Sequence, residues 1–347
     1  MGTSYFLGAN SKDGFFSLYS EFCSRKGDFL HIIKGGPGTG KSSFMRKIAR
    51  AAEEKGLEVE YVLCSGDPDS LDGIYIPQLK TGWVDGTAPH VIEPKKFGID
   101  SDYVNLGVFC NTPLVETDLN YVNLIYELYK EKYNAAYDCL KSASLLHRRA
   151  LSPVFTDEHL KLFRWEIRDI LKKCAADDDN PAQVRKRFYH AVCCKGELYL
   201  NADVNSLCKQ KYVFSSEFEG AAAALKIAAE EAMGCGGEII LSYDPRDTEK
   251  LEAVLIPRLS LAFLGSGWSF EDETEIIMDT ALPRDKIREL RPKLREINRL
   301  EDKIMGLGCS FLAQAKGLHD ELEEVYKMAM DYAALNEFTE EYIKANI

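Results

Sequence analysis

The stretch Gly35-Gly36-Pro37-Gly38-Thr39-Gly40-Lys41-Ser42 fits G-x-x-x-x-G-K-[ST], the P-loop or Walker A pattern of phosphate-binding loops. An apolar run, residues 29–33, precedes it and a helix-compatible stretch, residues 43–52, follows it, which is the context that the motif requires. Glycines let the backbone turn tightly enough for its N–H groups to converge on phosphate oxygens. The stretch therefore predicts a phosphate-binding loop between a strand and a helix; the alternative is a glycine-rich turn that matches by chance.

The loop residues have expected parts in binding a nucleotide. Lys41 is expected to reach the β- and γ-phosphates and to act in catalysis, and the Ser42 hydroxyl is expected to hold Mg²⁺. The predicted cofactors are ATP and Mg²⁺, and the absence of an N-K-x-D guanine motif favours ATP over GTP. The predicted binding residues are Gly35, Gly36, Pro37, Gly38, Thr39, Gly40, Lys41, Ser42 and Ser43.

A phosphoryl-transfer site also needs an acidic group that holds Mg²⁺, usually at the end of an apolar strand. Trp83-Val84-Asp85 supplies one, so Asp85 is predicted to be a Walker B-like residue and, with Ser42, a metal ligand. No glutamate follows Asp85 to polarise water. This absence favours slow hydrolysis, transfer to another acceptor, or a base from elsewhere in the chain.

Three aspartates follow the apolar run at residues 61–64, and open α/β sheets bind ligands at such carboxyl ends of strands. Asp69 and Asp72 are the preferred candidates for a catalytic base or a supporting magnesium ligand. Asp67 is assigned to the turn, because Asp67-Pro68 recurs later in the chain as Asp244-Pro245. The alternative for all three is an acidic turn, since Asp, Pro, Ser and Gly all form turns.

Two further kinds of residue remain open. His90 lies in a loop beyond Asp85, where it is a candidate contact to the γ-phosphate or to a substrate, or else a structural hydrogen-bonding residue. Phosphoryl transfer commonly uses a stabilising arginine. Four arginines are candidates for that role: Arg46, Arg50, Arg246 and Arg258.

The two halves of the chain resemble each other. Residues 6–14, 31–33 and 76–79 have similar counterparts, at a nearly constant offset, in residues 188–196, 212–214 and 256–259. The second copy lacks the loop: the lysine is replaced by an alanine or deleted, and Glu217 and Glu219 would repel phosphates. Gly265 stands in the place of Asp85. The sequence therefore predicts one working nucleotide site.

The alternation of strands and helices predicts an α/β fold with two duplicated P-loop-like domains, each a mostly parallel sheet flanked by helices. The predicted domains are residues 1–178, with the intact loop, and residues 179–347, with the degenerate loop; residues 176–181 are the linker. Each domain has a long helical segment, residues 119–174 with a break at Pro153 and residues 285–343. Their apolar stripes are expected to pack on their own sheet, the alternative being a partner.

Composition limits the partners. The 347 residues carry a net charge of −12, which argues against a general nucleic-acid coat or an anionic membrane surface. No run approaches the ~18 apolar residues of a membrane span, and no targeting signal is recognisable. The expected location is cytoplasmic.

Tandem P-loop halves, with DPDSLDG at residues 67–73, an isoleucine-proline, and VDGTAPH at residues 84–90, resemble a family of uncharacterised bacterial proteins built from two P-loop domains. The resemblance covers most of the chain and implies an ATP-binding, predicted ATPase (hydrolase) role without an established substrate. Members of the family can keep a second intact loop. This chain departs from that pattern at residues 217–223, so a two-site mechanism is not expected.

Three functions fit these observations. The first is a Mg-dependent ATPase or a kinase of a small acceptor, with Lys41, Ser42 and Asp85 at the phosphates. The second is a nucleotide-controlled interaction protein, in which ATP orders loops and changes how the long helices meet a partner. The third is a relic that binds nucleotide without turnover. The sequence identifies neither the acceptor nor the partner.

Overall fold

The computed structural model describes residues 2–150, 154–174 and 181–347. The strands of the first half are β1 (Thr3–Phe6), β2 (Gly8–Ser11), β3 (Gly14–Ser17), β4 (Phe29–Lys34), β5 (Glu60–Leu63), β6 (Leu71–Ile76), β7 (Thr81–Asp85) and β8 (Ser101–Asn105). Its helices are α1 (Lys41–Glu54), α2 (Thr112–Glu116), α3 (Leu119–Ala150) and α4 (Asp157–Cys174). The predicted break at Pro153, the domain boundary at 178/179 and most of the predicted linker lie outside the described residues.

The second half repeats this order of strands. Its strands are β9 (Gln183–Arg187), β10 (His190–Cys193), β11 (Gly196–Tyr199), β12 (Gln210–Ser215), β13 (Glu238–Tyr243), β14 (Leu251–Ile256), β15 (Leu261–Leu264) and β16 (Glu273–Ile277). Its helices are α5 (Asn201–Leu207), α6 (Gly220–Ala232), α7 (Arg284–Met328) and α8 (Tyr332–Asn346).

Each half contains a six-stranded sheet, and the two sheets have the same topology. The first has the order β1-β5-β6-β7-β4-β8 and the second the order β9-β13-β14-β15-β12-β16. Equivalent pairs of strands run in the same relative direction in both sheets. At the level of topology, this confirms the internal repeat and the α/β fold class.

The prediction of mostly parallel sheets missed one reversed strand in each half. Strand β6 runs antiparallel to both β5 and β7, and β14 does the same in the second sheet. The physical reason is the length of the connections. Residues 64–70 and 77–80 are too few for the crossover of a dozen or more residues that a parallel connection needs. Both sheets are therefore mixed.

Helices α1 and α6 cover the outer faces of the two sheets, and only the short helix α5, through Val204, reaches the inner side among the α-helices of the described residues. The inner faces share one apolar cluster, to which the first sheet contributes Ile32, Val62 and Val84 and the second contributes Val213 and Leu255. The sequence analysis predicted helices that flank each sheet, but it did not predict that the inner faces of the two sheets share one apolar cluster. A sheet face that lacks a helix must still bury its apolar side chains, and here the other half of the chain covers them.

The terminal helix of each half packs on the sheet of the other half. Phe163 and Ile167 of α4 belong to the apolar cluster of α6 and the second sheet. Leu335 of α8 joins the cluster of α1 and the first sheet, with Phe338 and Tyr342 packed against it. The expectation that each helical segment packs on its own sheet was wrong for these helices. A stripe shows that a helix face is buried, but not which sheet buries it.

A long helix pair carries the terminal helix of each half to the sheet of the other half, an arrangement called the helix exchange below. Helices α3 and α7 run antiparallel, with Val122 and Ile125 of α3 against Leu322 and Val325 near the end of α7. Farther along, Leu140 and its neighbours meet earlier residues of α7. With a rise of 1.5 Å per residue, α7 spans about 67 Å. None of the helices in the described ranges is both long enough and apolar enough to cross a membrane.

We expect Leu335→Ala to lower the free energy of unfolding by about 2–5 kcal/mol, the range for leucine truncation in a packed core. Leu335 is 5% exposed, so the substitution leaves a cavity between α8 and the first sheet. The control is Leu300→Ala on α7, which is 43% exposed and should change the free energy by less than about 0.5 kcal/mol. Urea unfolding measures the free energy of unfolding of both variants. Equal losses in the two variants would contradict the packing of α8 on the first sheet.

Candidate functional site

The glycine-rich loop connects the end of β4 to the start of α1. Gly38 and Gly40 have φ angles of 66° and 85°, which lie in the left-handed region that L side chains rarely adopt. Gly40 is the last residue before α1, and Lys41 is the first residue of the helix. The loop thus ends at a helix N-terminus, where free backbone N–H groups and the helix dipole favour an anion.

Lys41 and Thr39 hold carbonyl groups of the loop through three hydrogen bonds. The Lys41 ammonium group donates to the carbonyl oxygens of Gly35 at 3.1 Å and Gly36 at 2.8 Å. The Thr39 hydroxyl also donates to Gly36, at 2.8 Å. Within the described residues, the backbone N–H groups of Gly38, Thr39 and Gly40 donate to no acceptor of the chain. The loop therefore offers several donors to an incoming anion.

Asp85 lies beside the loop. Strands β4 and β7 are parallel neighbours, and Ile33 is paired with Asp85 near the carboxyl end of both. One Asp85 oxygen lies 3.6 Å from the Lys41 ammonium nitrogen, and the other accepts hydrogen bonds from the backbone N–H and the hydroxyl of Thr87. The sheet thus brings together the lysine and the aspartate that the sequence predicted.

The oxygen atoms of Ser42 and Asp85 are of the kind that would fit a magnesium ion bound together with phosphate. No group of three or more histidine, cysteine or acidic side chains in the described residues could hold a metal alone. Magnesium is usually held by one or two carboxylates together with phosphate oxygens and water, so it needs no such group. The Ser42 hydroxyl accepts a bond from the N–H of Leu71 at 3.0 Å and keeps a second lone pair. Ser42 and Asp85 both supply hard oxygen ligands.

Asp72 and His90 form a buried pair. The His90 Nε2 atom lies 3.3 Å from an Asp72 oxygen, and the Tyr19 hydroxyl donates to the same oxygen at 2.7 Å. The ring of His90 also packs against Tyr19, with a centroid distance of 4.7 Å. The Nδ1 atom of His90 is buried and has no hydrogen-bond partner in the part of the chain that the structure describes. Sequence reasoning named Asp72 and His90 separately but missed Tyr19 and the pairing.

The pair titrates as an ion pair. Burial alone would lower the pKa of His90, but the Asp72 carboxylate outweighs it and raises that pKa above 6.5. Burial alone would raise the pKa of Asp72, but His90 and the Tyr19 hydrogen bond lower it below 3.8. The charge of Asp85 also raises the pKa of His90, and the charge of Lys41 lowers it. Asp72 directly follows Leu71, whose N–H donates to the Ser42 hydroxyl, so the pair lies next to the start of α1.

Asp69 and Asp67 face the second half of the chain. The Asp69 carboxylate is exposed and accepts a hydrogen bond from Lys195 at 2.6 Å, which lowers the pKa of Asp69. Its backbone carbonyl accepts a bond from Arg46 on α1. Asp67 lies 3.5 Å from Lys316 of α7. Asp69 therefore joins the two halves, and the structure does not bring it to the Asp72–His90 pair.

The other arginine candidates have different surroundings. Arg246 forms an ion pair with Asp244 of its own half at 2.8 Å. Arg258 donates to a backbone carbonyl in the segment after α6, and Arg50 lies exposed on α1. The second half thus reaches the acidic turn of the first through lysines, which sequence reasoning missed.

One face of α7 and the start of α8 cover the loop. A Cβ atom added at Gly38 would lie 2.7 Å from the carbonyl oxygen of Glu323, and one at Gly36 would lie 3.1 Å from the ring of Tyr326. His319 lies one turn before Glu323 on α7. Burial lowers the pKa of His319, and the positive charge of Lys41 lowers it further, whereas Glu323 and Asp320 act to raise it. No local sequence signal marks these residues, because they lie almost 300 positions from the loop.

The equivalent loop of the second half is closed. Strand β12 ends at Ser215 and α6 begins at Gly220, so the loop is shorter than the first. Glu219 has the left-handed conformation of Gly40, with φ of 59°, and Gly220 follows it as the first residue of the helix. The place of Lys41 is therefore taken by a glycine, and the prediction of an alanine or a deletion was wrong. A Cβ atom at Gly220 would lie 2.6 Å from the ring of Phe155, which requires glycine there.

Side chains of the second half occupy the donors of this loop. Asp279 accepts hydrogen bonds from the Ser216 hydroxyl at 2.7 Å and from the N–H of Glu217 at 2.9 Å. The Ser216 hydroxyl accepts from the N–H groups of Phe218 and Gly220, and the Phe218 side chain is buried. Strand pairing also ends just before Gly265, next to β12, where the first sheet has Asp85. This loop lacks the free donors of the first.

Comparison of the chain with protein-family models, with curated proteins and with solved structures finds no match.

We expect His90→Gln to destabilise the protein most between about pH 4 and pH 6.5. The raised pKa of His90 contributes stability that is complete below 6.5 and is lost as the pH rises through its folded-state pKa. The lowered pKa of Asp72 contributes stability that is present above 3.8 and is lost as the pH falls through its folded-state pKa. Within this window the loss should be about 3–5 kcal/mol, as for one partner of a buried pair.

Urea unfolding of the wild type and the variant at several pH values measures this difference. It should shrink as the pH rises well above 6.5, since the wild-type histidine then loses its charge. A difference that stays constant from pH 5 to pH 9 would show that the pair is held by packing alone.

Proposed function

We propose that the chain is an ATP-binding protein of the P-loop type with one working nucleotide site, and that it catalyses Mg-dependent ATP hydrolysis or phosphoryl transfer. We further propose that it belongs to the tandem P-loop family that its sequence resembles. One observation carries the proposal: the loop between β4 and α1 has free backbone donors, and Lys41 and Asp85 meet beside it across two parallel strands. The second half has lost all three features.

The loop residues would bind the phosphates. Lys41 would exchange its contacts with the carbonyls of Gly35 and Gly36 for phosphate oxygens, and the N–H groups of Gly38 to Gly40 would donate to the same phosphates. Ser42 and Asp85 would hold magnesium, whose charge neutralises the negative charge that develops on the transferred phosphoryl group. Catalysis of this kind rests mainly on positioning and electrostatic stabilisation.

The Asp72–His90 pair would supply the base that the sequence lacks after Asp85. Asp72 engages Nε2 of His90 and fixes the ring, which leaves Nδ1 without a partner in the described residues. In its neutral form, His90 would accept at Nδ1 the proton of an attacking water or hydroxyl group. Because the pKa of His90 is raised, this neutral form prevails only above that raised pKa, so the proposed catalysis should increase as the pH rises through it.

A second candidate is a nucleotide-controlled interaction protein with little turnover. It is favoured by the contact of α7 with the loop, because α7 also pairs with α3 and extends to the degenerate loop, where Arg291 pairs with Glu217. Occupancy of the loop could then alter the surface of the long helix pair. Steady release of phosphate from Mg-ATP supports the first candidate, and nucleotide-dependent changes without turnover support the second.

We expect Lys41→Ala to weaken Mg-ATP binding by about a hundredfold or more, since contacts to charged phosphates worth about 1.5–3 kcal/mol each are lost. Isothermal titration calorimetry of the wild type and the variant measures the change. The matched control is Glu217→Gln in the degenerate loop, which should leave the affinity within about twofold of the wild type. If the control weakens binding as much as Lys41→Ala does, the assignment of the working site is wrong.

A further inference from the structure

The second half contributes a tyrosine to the phosphate loop of the first. The hydroxyl of Tyr332, the first residue of α8, donates a hydrogen bond to the carbonyl oxygen of Gly38 at 2.9 Å. This contact adds to the packing of Glu323 and Tyr326 on the same side of the loop. The loop is thus held from outside by residues that follow it by almost 300 positions.

The hydrogen bond fixes one peptide plane. In a trans peptide the C=O group and the following N–H group point in opposite directions. Since the Gly38 carbonyl points outward to Tyr332, the N–H group of Thr39 points to the other side, toward the interior of the loop. The Thr39 N–H is one of the groups that donate to no acceptor in the described residues.

The other constrained carbonyls of the loop are held from within. Lys41 binds the carbonyls of Gly35 and Gly36, and Thr39 also binds Gly36. A nucleotide that recruits Lys41 would release the Gly35 carbonyl and leave the Gly36 carbonyl with its bond from Thr39 alone. The bond from Tyr332 to the Gly38 carbonyl involves no group that would bind phosphate, so it can persist through nucleotide binding.

Tyr332 is itself held firmly. The segment between α7 and α8 pairs with the first half through two backbone bonds, from Asn111 to Ala329 at 2.8 Å and from Asp331 to Phe109 at 2.9 Å. Asp331 also caps α8, because its carboxylate accepts the N–H of Ala334 at 3.0 Å. These contacts tie the tyrosine to the segment after β8, the neighbour of β4 in the sheet.

The degenerate loop offers an internal comparison. Its donors are held by Ser216 and Asp279, which belong to the same half of the chain. The first half contributes Phe155, an apolar ring, against Gly220 at the start of α6. Of the two loops, the one with free N–H groups is thus the one that accepts a hydrogen bond from a hydroxyl group of the other half.

We propose that Tyr332 is a positioning residue for phosphate binding, supplied by the degenerate half, which keeps the Thr39 N–H directed at the phosphate. The inference rests on the proposed function. It gives the degenerate half a defined part in the same site: the half that has lost its own loop holds the working loop in its binding conformation.

The test is Tyr332→Phe, which removes the hydroxyl and keeps the ring. Loss of one hydrogen bond of about 1–1.5 kcal/mol should weaken Mg-ATP and Mg-pyrophosphate binding by about fivefold to tenfold. The matched control on the same helix is Tyr342→Phe, whose hydroxyl accepts a bond from Trp83 at 3.1 Å and does not touch the loop. Titration calorimetry measures affinity, and urea unfolding measures stability for each variant.

A spectroscopic readout separates positioning from general destabilisation. In protein labelled with ¹⁵N-threonine, the Thr39 amide signal should differ between the wild type and Tyr332→Phe before any ligand is added. It should coincide in the wild type and Tyr342→Phe. If Tyr332 only helped to hold α8 in place, both variants would be less stable to urea and the Thr39 amide signal would stay where it is in the wild type.

The outcomes distinguish the two proposals. If the wild type binds neither ligand, the proposed function itself fails. If the wild type binds and Lys41→Ala does not, but Tyr332→Phe binds equally well or more tightly, only the positioning role is wrong. Equal weakening by Tyr342→Phe also overturns it, because the effect would then come from α8 as a whole.

Discussion

The exchange of terminal helices is the constraint on which the rest of the structure depends. Helices α3 and α7 pair in antiparallel fashion and carry α4 and α8 onto the sheet of the opposite half. The outer face of each sheet is therefore covered both by a helix of its own half, α1 or α6, and by the terminal helix of the other half. The same exchange brings the end of α7 and the start of α8 over the loop at Gly38, so the candidate site is built from both halves.

The two loops have diverged within one topology. In the first, glycines at left-handed positions leave N–H groups free, and Asp85 faces Lys41. In the second, Glu219 keeps the left-handed turn before the helix, but Gly220 replaces the lysine and Asp279 takes up the donors. The fold tolerates this change because strand order and the helix start are preserved, whereas the proposed phosphate binding would depend on groups that the second loop lacks.

Local signals in the sequence predicted the local structure. The strand before the loop, the helix that starts at Lys41 and the place of Asp85 all follow from short patterns and from the internal repeat. Strand β6 could not be predicted, because its residues are all buried and show no alternation. Tyr332 could not be predicted either: its partner Gly38 is 294 positions away, and only the packing of α7 and α8 brings the two together.

The most direct test of the account is hydrogen exchange, followed by mass spectrometry, with and without Mg-ATP. It reports the opening of backbone groups region by region. The account predicts slower exchange in peptides that cover residues 35–43 and 319–335, and no change in residues 215–223. Protection of residues 215–223, or a nucleotide effect that spares residues 35–43, would contradict a single working loop covered by the other half.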